Sequence, residues 1–258
     1  MQLKNDKKEM GAVIGSGNVA SHLAKQLFAC GYSINCVFSR DLDNAKRLAE
    51  QVNAKAVDKI EMIFPADFYL FSVKDDAYRE IIDAFPKTTA VCVHTSGSLE
   101  MNILSKLSDN QGVLYPFQTL TKGKEISFQK VPLCIEASNE LTLNVLSDMA
   151  RDFKSPCYQI NSQQRAYLHL CGVFASNFTN AMYGIAEQIA QTQQIDFEII
   201  KPLIVETARK IEILSPAAAQ TGPAKRNDQT ILQKHLELLT NPQWKEIYKL
   251  VSDSIKTR

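Results

Sequence analysis

The chain has 258 residues, of which 45% are hydrophobic and 22% charged, and its formal net charge is +1. This near-neutral charge argues against nucleic acid or a membrane surface as the main partner, and no run of about eighteen apolar residues could span a bilayer. The polar start MQLKNDKKEM does not resemble a signal peptide. Six scattered cysteines without a CxxC motif favour reduced thiols over disulfides or a metal site. We therefore expect a cytoplasmic globular protein that carries no metal.

The first part of the chain alternates short apolar runs with amphipathic stretches. The apolar runs predict strands at 10–15, 34–38, 68–73, 89–94, 112–120, 131–138 and 157–160, with a weaker one at 54–57. Helical patterns occupy 18–30, 42–51 and 139–152. Such alternation is typical of an α/β fold, a twisted and mainly parallel sheet with helices on both faces.

The pattern changes near residue 160, after which no convincing strand remains. A proline-free stretch over 162–194 predicts one long helix, and further helices are expected at 196–214, 228–239 and 243–256. We therefore predict a doubly wound α/β domain over 1–160 and a smaller all-helical domain over 161–258.

A glycine-rich turn follows the first predicted strand. In VIGSGNVA, Gly15, Gly17 and Ala20 have the G-x-G-x-x-A spacing of a dinucleotide-binding loop, in which the second glycine lets the backbone approach a pyrophosphate. The helix that starts near Asn18 would present free N–H groups and its positive dipole end to the phosphates. The predicted contacts are Gly15, Ser16, Gly17, Asn18 and Val19. The alternative is a glycine turn that only serves packing.

The end of the second strand indicates which dinucleotide is bound. NAD-binding proteins usually carry an acid there, whereas this chain has Ser39 and Arg40. A guanidinium and a hydroxyl suit a 2′-phosphate, because guanidinium–phosphate hydrogen bonds are charge-assisted and often bidentate. NADP is therefore favoured over NAD. Alternatively, Arg40 is a solvated loop residue or pairs with Asp41 or Asp43, and Asp41 itself is expected to cap the next helix.

Several segments of the chain resemble known families. GSGNVASHL, VFSR, FSVKDD and VHTSGS are similar to the Rossmann domains of pyrroline-5-carboxylate reductases and β-hydroxyacid dehydrogenases. YPFQTL, AYLHLCGVFASNF and TGPAKRND resemble a narrower group, bacterial proteins named NADP oxidoreductases whose C-terminal domain has no assigned function. The resemblance spans nearly the whole chain. It implies a Rossmann domain followed by a helical domain that commonly forms a homodimer in this superfamily.

The same resemblance suggests roles for loop residues. It implies that Val73 and Lys74 lie along the cofactor, and that Thr95 and Ser96 lie near the nicotinamide and the substrate. Members of the narrower family often have histidine where this chain has Tyr115, although a tyrosine hydroxyl can also donate a proton. The resemblance implies no particular substrate.

The long predicted helix supplies candidate catalytic residues. At 100° per residue, His169 shares a face with Ser176 and Asn180, and Asn177 lies beside that face. His169 is the best proton donor by its ordinary pKa, and resemblance to the hydroxyacid dehydrogenases favours Asn177. With Ser96, these are the candidate catalytic residues. The alternatives are an internal hydrogen-bond network on the helix and, for Ser96, an ordinary loop that closes a strand end.

A third candidate region is the loop LSPAAAQTGPAKRND. Thr221 forms part of a turn that Lys225 and Arg226 follow, and these cations could hold a substrate carboxylate or phosphate. The alternative is a solvated basic loop.

The leading hypothesis is an NADP-dependent reductase of a small polar carbonyl or imine compound. A non-catalytic NADP(H)-binding sensor or interaction protein is the alternative, favoured by the lack of a lysine in 166–180. A P-loop enzyme is excluded, because no G-x-x-x-x-G-K-[ST] motif occurs.

Overall fold

An eight-stranded sheet organises the first part of the chain in the computed structural model, which describes residues 8–256. The strands are β1 Met10–Ile14, β2 Ser33–Phe38, β3 Lys55–Val57, β4 Phe68–Phe71, β5 Val91–His94, β6 Gln111–Pro116, β7 Leu133–Ala137 and β8 Cys157–Gln159. Their spatial order is β3-β2-β1-β4-β5-β6-β7-β8. The helices between them are α1 Asn18–Ala29, α2 Leu42–Gln51, α3 Tyr78–Ala84 and α4 Glu140–Asp152.

The direction of the strands places the loops that follow β1, β2, β4 and β5 at one edge of the sheet. Strands β1 to β6 are parallel, whereas β7 runs antiparallel to β6 and parallel to β8. The order 3-2-1-4-5-6 is that of the Rossmann fold, and the chain changes direction across the sheet between β1 and β4. Ligands of such sheets bind beyond the carboxyl ends of the strands at this switch point. The predicted α/β fold is confirmed.

Both faces of the sheet are covered, which explains why the strands read as continuous apolar runs rather than alternating ones. Val13 and Val37 belong to a core shared with α1, α2 and α4. The intervening residues Ala12, Ile14 and Cys36 belong to a second core shared with α3. Helix α1 follows β1 and α2 follows the neighbouring strand β2, and both helices pack on the same face of the sheet. Their N-termini therefore lie close to the carboxyl ends of β1 and β2.

The rest of the chain is helical, as predicted. The elements are α5 Ser162–Gly172, a π-helical segment Val173–Phe178, α6 Thr179–Thr192, α7 Lys201–Lys210, α8 Pro216–Ala219, α9 Gln229–Leu238 and α10 Pro242–Lys256. The predicted helix at 196–214 is shorter than expected. Pro202 fixes its start, because proline is favoured in the first helical turn and is disfavoured farther inside a helix.

The chain divides into two compact units, the first ending at Ser176 and the second beginning at Asn177. The composition change at residue 160 therefore does not coincide with this division. The physical reason is that α5 is tied to the sheet near its start. The Ser162 hydroxyl donates to Glu136 at 2.8 Å and accepts from the Met101 N–H at 3.1 Å.

No helix within residues 8–256 is both long enough and apolar enough to cross a membrane.

Candidate functional site

A cavity of about 690 Å³ lies at the carboxyl ends of the parallel strands. It is lined by the loops that leave β1, β4 and β5, by the ends of β2 and β6, and by one residue of α5. All ten residues predicted to bind the cofactor line this one cavity: Gly15, Ser16, Gly17, Asn18, Val19, Ser39, Arg40, Val73, Lys74 and Thr95. Ser96, Tyr115 and His169 line it as well. The fold thus brings together residues that are far apart in sequence, within the first compact unit.

The glycine loop has the geometry of a phosphate cradle. Gly15 has φ +124°, and a Cβ there would lie 2.0 Å from the Ser72 carbonyl oxygen, so no larger residue fits. A Cβ on Gly17 would meet no atom within 4 Å, which leaves open space over the start of α1. Gly17 is the N-cap of that helix, with no side-chain cap and no acidic residue in the first turn. The free N–H groups and the dipole therefore suit an anion.

The end of β2 carries a hydroxyl and an exposed cation. The Ser16 hydroxyl donates to the Ser39 hydroxyl at 3.0 Å. Arg40 is exposed and pairs with Glu80 at 3.4 Å, not with Asp41 or Asp43 as the alternative expectation had it. Such an exposed ion pair contributes little and leaves the guanidinium available.

Asp41 also lines the cavity but is already engaged. Its carboxylate accepts the N–H groups of Asp43 and Asn44 at 3.0 and 3.1 Å, which confirms the expected helix cap. Its other oxygen accepts from the Asn44 amide at 2.7 Å. Since these bonds engage Asp41 in the helix cap and the ion pair of Arg40 with Glu80 is exposed, the residues present fit a dinucleotide that carries a 2′-phosphate.

Side-chain bonds join the loops that follow β4 and β5. The Thr95 hydroxyl donates to the Ser72 hydroxyl at 3.0 Å, and the Ser98 hydroxyl donates to Asp75. The Ser96 hydroxyl accepts the N–H groups of Ser98 and Leu99, both at 3.1 Å. These bonds give Ser96 a loop-closing role, and its catalytic role stays a prediction.

One pair of side chains on the cavity wall can move a proton. The Tyr115 hydroxyl lies 3.0 Å from His169 Nδ1. A Cβ on Gly97 would lie 2.6 Å from that same Nδ1, so only glycine leaves room for the pair. Burial raises the pKa of Tyr115 to about 12, so its phenol remains protonated near neutral pH. Tyr115 thereby supplies a hydroxyl in the position where the resemblance led us to expect histidine.

A buried arginine fixes the helix that carries His169. Arg165 is 1% exposed, and its guanidinium donates to the Glu136 carboxylate, to the Leu99 carbonyl and to the Ser162 hydroxyl. These partners belong to β7, to the loop after β5 and to α5 itself. Because His169 lies one helical turn after Arg165, the bonds of Arg165 also fix the position of His169 beside Gly97.

His94 lies beneath the same loop, fully buried at the end of β5. Its Nδ1 accepts the Ser96 N–H at 3.2 Å. Burial and the nearby Arg165 charge lower the pKa of His94 to about 3. His94 is therefore a neutral structural group, and its Nε2 is a buried atom without a hydrogen-bond partner among the described residues.

The π-helical segment corrects the predicted helix face. We placed His169, Ser176 and Asn180 on one face by counting 100° per residue, but Val173–Phe178 has i→i+5 geometry and therefore a smaller turn per residue. The count fails across this segment. Segments of this kind are frequent at functional sites, and this one begins one helical turn after His169.

The remaining candidates belong to the second compact unit. Asn177 is exposed in the π-helical segment, and Lys225 and Arg226 are exposed in the turn that follows Gly222. Thr221 lines an apolar groove with residues such as Met182, Ile189 and Trp244. The Asp228 side chain caps α9 by accepting the Ile231 N–H at 3.2 Å. The roles of Asn177, Thr221, Lys225 and Arg226 stay predictions.

Some residues that line the cavity escaped the sequence analysis, among them Asn44, Asp75, Ser98 and Gln118. Asp75, Ser98 and Gln118 lie in the loops that follow β4, β5 and β6, so the rule that ligands bind at strand ends places their loops at the site without singling out these residues. Nothing in the local sequence of Asn44 marks it as a site residue. Within residues 8–256, no group of three or more His, Cys, Asp or Glu side chains could hold a metal ion.

Family comparisons agree with this architecture. A family described as "NADP oxidoreductase coenzyme F420-dependent" matches residues 11–93, and a "Domain of unknown function (DUF2520)" matches residues 131–255. No curated protein matches the chain significantly.

Solved structures extend the likeness to the whole chain. The "putative NADP oxidoreductase BF3122" from Bacteroides fragilis is 38% identical with a TM-score of 0.91, and the alignment covers 97% of this chain and 99% of that one. Protein TM1727 from Thermotoga maritima is 22% identical over 96% and 98% of the two chains, with a TM-score of 0.72. A pyrroline-5-carboxylate reductase from Coxiella burnetii shares the fold at 18% identity, 96% coverage of both chains and a TM-score of 0.55. The protein thus belongs to the NAD(P)-binding oxidoreductase family of BF3122, in which a Rossmann-type domain precedes a DUF2520 domain.

Proposed function

We propose that the protein is an NADP-dependent reductase that transfers a hydride to a small polar carbonyl or imine compound. The observation that carries this proposal is the single cavity in which the glycine loop, the Ser39–Arg40 pair and the Tyr115–His169 pair come together. A reductase needs three things there: a place for the phosphates, a means of selecting the coenzyme and a proton source.

The geometry supports the following binding roles. The start of α1 receives the pyrophosphate over Gly17, whose missing side chain leaves the space. Ser39 and Arg40 select the 2′-phosphate through charge-assisted hydrogen bonds, while the Asp41 carboxylate is engaged in the helix cap. Val73, Lys74 and Thr95 line the rest of the coenzyme cavity.

When bound, NADPH supplies the hydride, and the chain must supply the proton. Tyr115 and His169 lie 3.0 Å apart and both line the cavity. Tyr115 keeps its proton at neutral pH because burial raises its pKa to about 12, and its hydroxyl is the donor to a developing alkoxide or amine. His169 is the group from which Tyr115 is reprotonated, because its Nδ1 lies within hydrogen-bond distance of the Tyr115 hydroxyl, at 3.0 Å.

We also propose that the protein works as a homodimer. The helical region exposes many large apolar side chains, including Ile199, Leu203, Ile213, Leu238 and Leu250, each at least 66% exposed. Exposed apolar surface on this scale marks an association surface. We take a second copy of the chain as the partner, because a second copy is available wherever the protein is made.

Coenzyme oxidation tests the catalytic proposal. We expect NADPH absorbance to fall with some member of a panel of keto acids, cyclic imines and aldehydes. Tyr115→Phe should then lower kcat by roughly 100-fold without weakening NADPH binding, because general acids contribute about 10²–10⁴-fold. His169→Gln should also lower kcat, whereas Tyr158→Phe, an exposed tyrosine of β8, should not change it.

Two results would count against the proposal. Full activity of the Tyr115→Phe enzyme would contradict the proton role. Tight NADPH binding with no turnover of any compound would favour the alternative, a non-catalytic NADP(H)-binding sensor, which the absence of a lysine from residues 166–180 also favours.

A further inference from the structure

A second, smaller cavity lies beside the coenzyme cavity in the first compact unit. It has a volume of about 190 Å³ and is lined by side chains of α1, of α2 and of the loop that follows β6. Its lining residues are Ser16, Ser21, His22, Lys25, Asn44, Arg47, Leu48, Gln51, Lys122 and Gly123. Ser16 and Asn44 line both cavities, so the two adjoin.

The charge of this cavity is one-sided. Lys25, Arg47, Lys122 and the titratable His22 line it together, with no aspartate or glutamate in the lining. Among the residues that the structure describes, none of these four side chains forms an ion pair with a carboxylate. By contrast Lys46, next to Arg47 on α2, pairs with Asp43 at 3.4 Å. Like charges gathered without a counterion repel one another, and a bound anion would relieve that repulsion.

Hydrogen bonds hold the walls in place. The loop that carries Lys122 is tied to α1 twice. Asn18 donates to the Leu120 carbonyl at 2.9 Å, and His22 Nε2 lies 3.0 Å from the Thr121 carbonyl. On the other wall the Arg47 guanidinium donates to the Asn44 amide oxygen. These bonds hold the loop against α1 and Arg47 against Asn44, which lowers the entropic cost of binding.

We propose that this cavity binds a phosphate-class dianion through Lys25, Arg47 and Lys122, with Ser16, Asn44 and Gln51 as neutral partners. Lysine and arginine are the side chains that hold phosphate, and buried Ser21 and Leu48 close the cavity without adding negative charge. The dianion has two sources. One is the 2′-phosphate of the coenzyme. Ser16 lines both cavities and its hydroxyl lies 3.0 Å from that of Ser39, so the phosphate that Ser39 and Arg40 select would also face this cavity, a source that rests on the proposed function. The other is free phosphate or a phosphomonoester.

The test compares Arg47→Gln/Lys122→Gln with Lys46→Gln, a matched control on the same helix whose side chain does not line the cavity. Calorimetry at constant ionic strength measures the affinity for NADPH, for NADH and for inorganic phosphate, the last with and without saturating NADPH. We expect the double variant to lose tenfold or more in affinity for at least one phosphate ligand, because each cation makes charge-assisted bonds. The control should change by less than twofold.

The separate titrations distinguish the 2′-phosphate of the coenzyme from a free anion, and the cavity inference from the proposed function. Loss of NADPH affinity with NADH unchanged assigns the cavity to the 2′-phosphate. Loss of inorganic phosphate binding in the presence of NADPH assigns it to a free anion. Wild-type affinities of the double variant for NADPH and phosphate would overturn the inference while leaving the proposed function intact. Failure of the wild-type protein to bind NADPH would instead overturn the proposed function, and the phosphate arm would still decide the cavity.

Discussion

Individual residues at the end of β2 decide how the coenzyme site is interpreted. Ser39 and Arg40 were recognisable from their place after a buried strand, and Asp41 was recognisable as a helix cap. The structure adds that the cap uses both oxygens of Asp41, through Asp43 and Asn44. The carboxylate of this neighbouring acid is thereby held in the helix cap.

The partner of Arg40 could not have been predicted from local sequence. The sequence offers Asp41 and Asp43 as near neighbours, whereas the fold brings Glu80 from α3. The same holds for Tyr115 and His169, each of which was recognisable singly. Their 3.0 Å contact depends on β6 and α5 meeting in space across 54 positions of the chain. Short-range patterns predict residue types and cannot predict such long-range pairs.

His94 makes the stability of the protein depend on pH. The pKa of His94 is about 3 in the folded protein, compared with 6.5 ordinarily. Below pH 6.5 the unfolded chain therefore binds a proton at His94, whereas the folded protein does not. The stabilising contribution is complete above pH 6.5 and is lost as the pH falls toward 3, by about 1.4 kcal/mol per pH unit. Between pH 7 and pH 5 the protein should lose about 2 kcal/mol on this account.

Urea unfolding at the two pH values measures this loss. His94→Asn keeps an acceptor for the Ser96 N–H but cannot titrate. The free energy of unfolding of this variant should therefore fall between pH 7 and pH 5 by about 2 kcal/mol less than that of the wild-type protein. Comparing each protein with itself removes any constant cost of the substitution. The same pH dependence in both proteins would show that His94 is not the group responsible.

Helices and strands were predicted best where one face or both faces are buried. The strands β1, β2, β4 and β5 are apolar because helices cover both faces of the sheet. The antiparallel direction of β7 was not predicted, because an apolar strand has the same pattern in either direction. The π-helical turn at Val173–Phe178 was also missed, since it differs from an α-helix by one residue in hydrogen-bond register.

The exposed apolar face of the helical region leads to a prediction about assembly. Leu203 of α7 is 66% exposed, and Ile199, which shortly precedes α7, is 72% exposed. If a second copy covers this face, Leu203→Glu should shift sedimentation velocity from dimer toward monomer, because a buried carboxylate without a partner is costly. Met62→Glu, at an exposed residue of the first unit, should leave the dimer unchanged. A wild-type protein that sediments as a monomer at micromolar concentration would rule out the proposed dimer.

At the scale of the whole molecule, the chain follows the order of its family, a Rossmann-type sheet and then a helical region. That order was predictable, because β/α alternation gives way to uninterrupted helical periodicity in the sequence. The division of compact units at Ser176 was not predictable, because it depends on the buried Arg165 and on the partly buried Ser162, which hold α5 against the sheet. Composition registers the change of element type, and tertiary contacts set where the units divide.

The claim on which the account rests is that the start of α1 and the end of β2 bind NADP in preference to NAD. Calorimetry of the apoprotein with NADPH and with NADH tests it directly, using Arg40→Ala and, as a control, Arg79→Ala, an exposed arginine of α3. We expect tighter binding of NADPH than of NADH. Arg40→Ala should lose roughly 10- to 100-fold in NADPH affinity with little change for NADH, because charge-assisted bonds to the 2′-phosphate are removed. No heat with either coenzyme, or equal losses for both, would contradict the account.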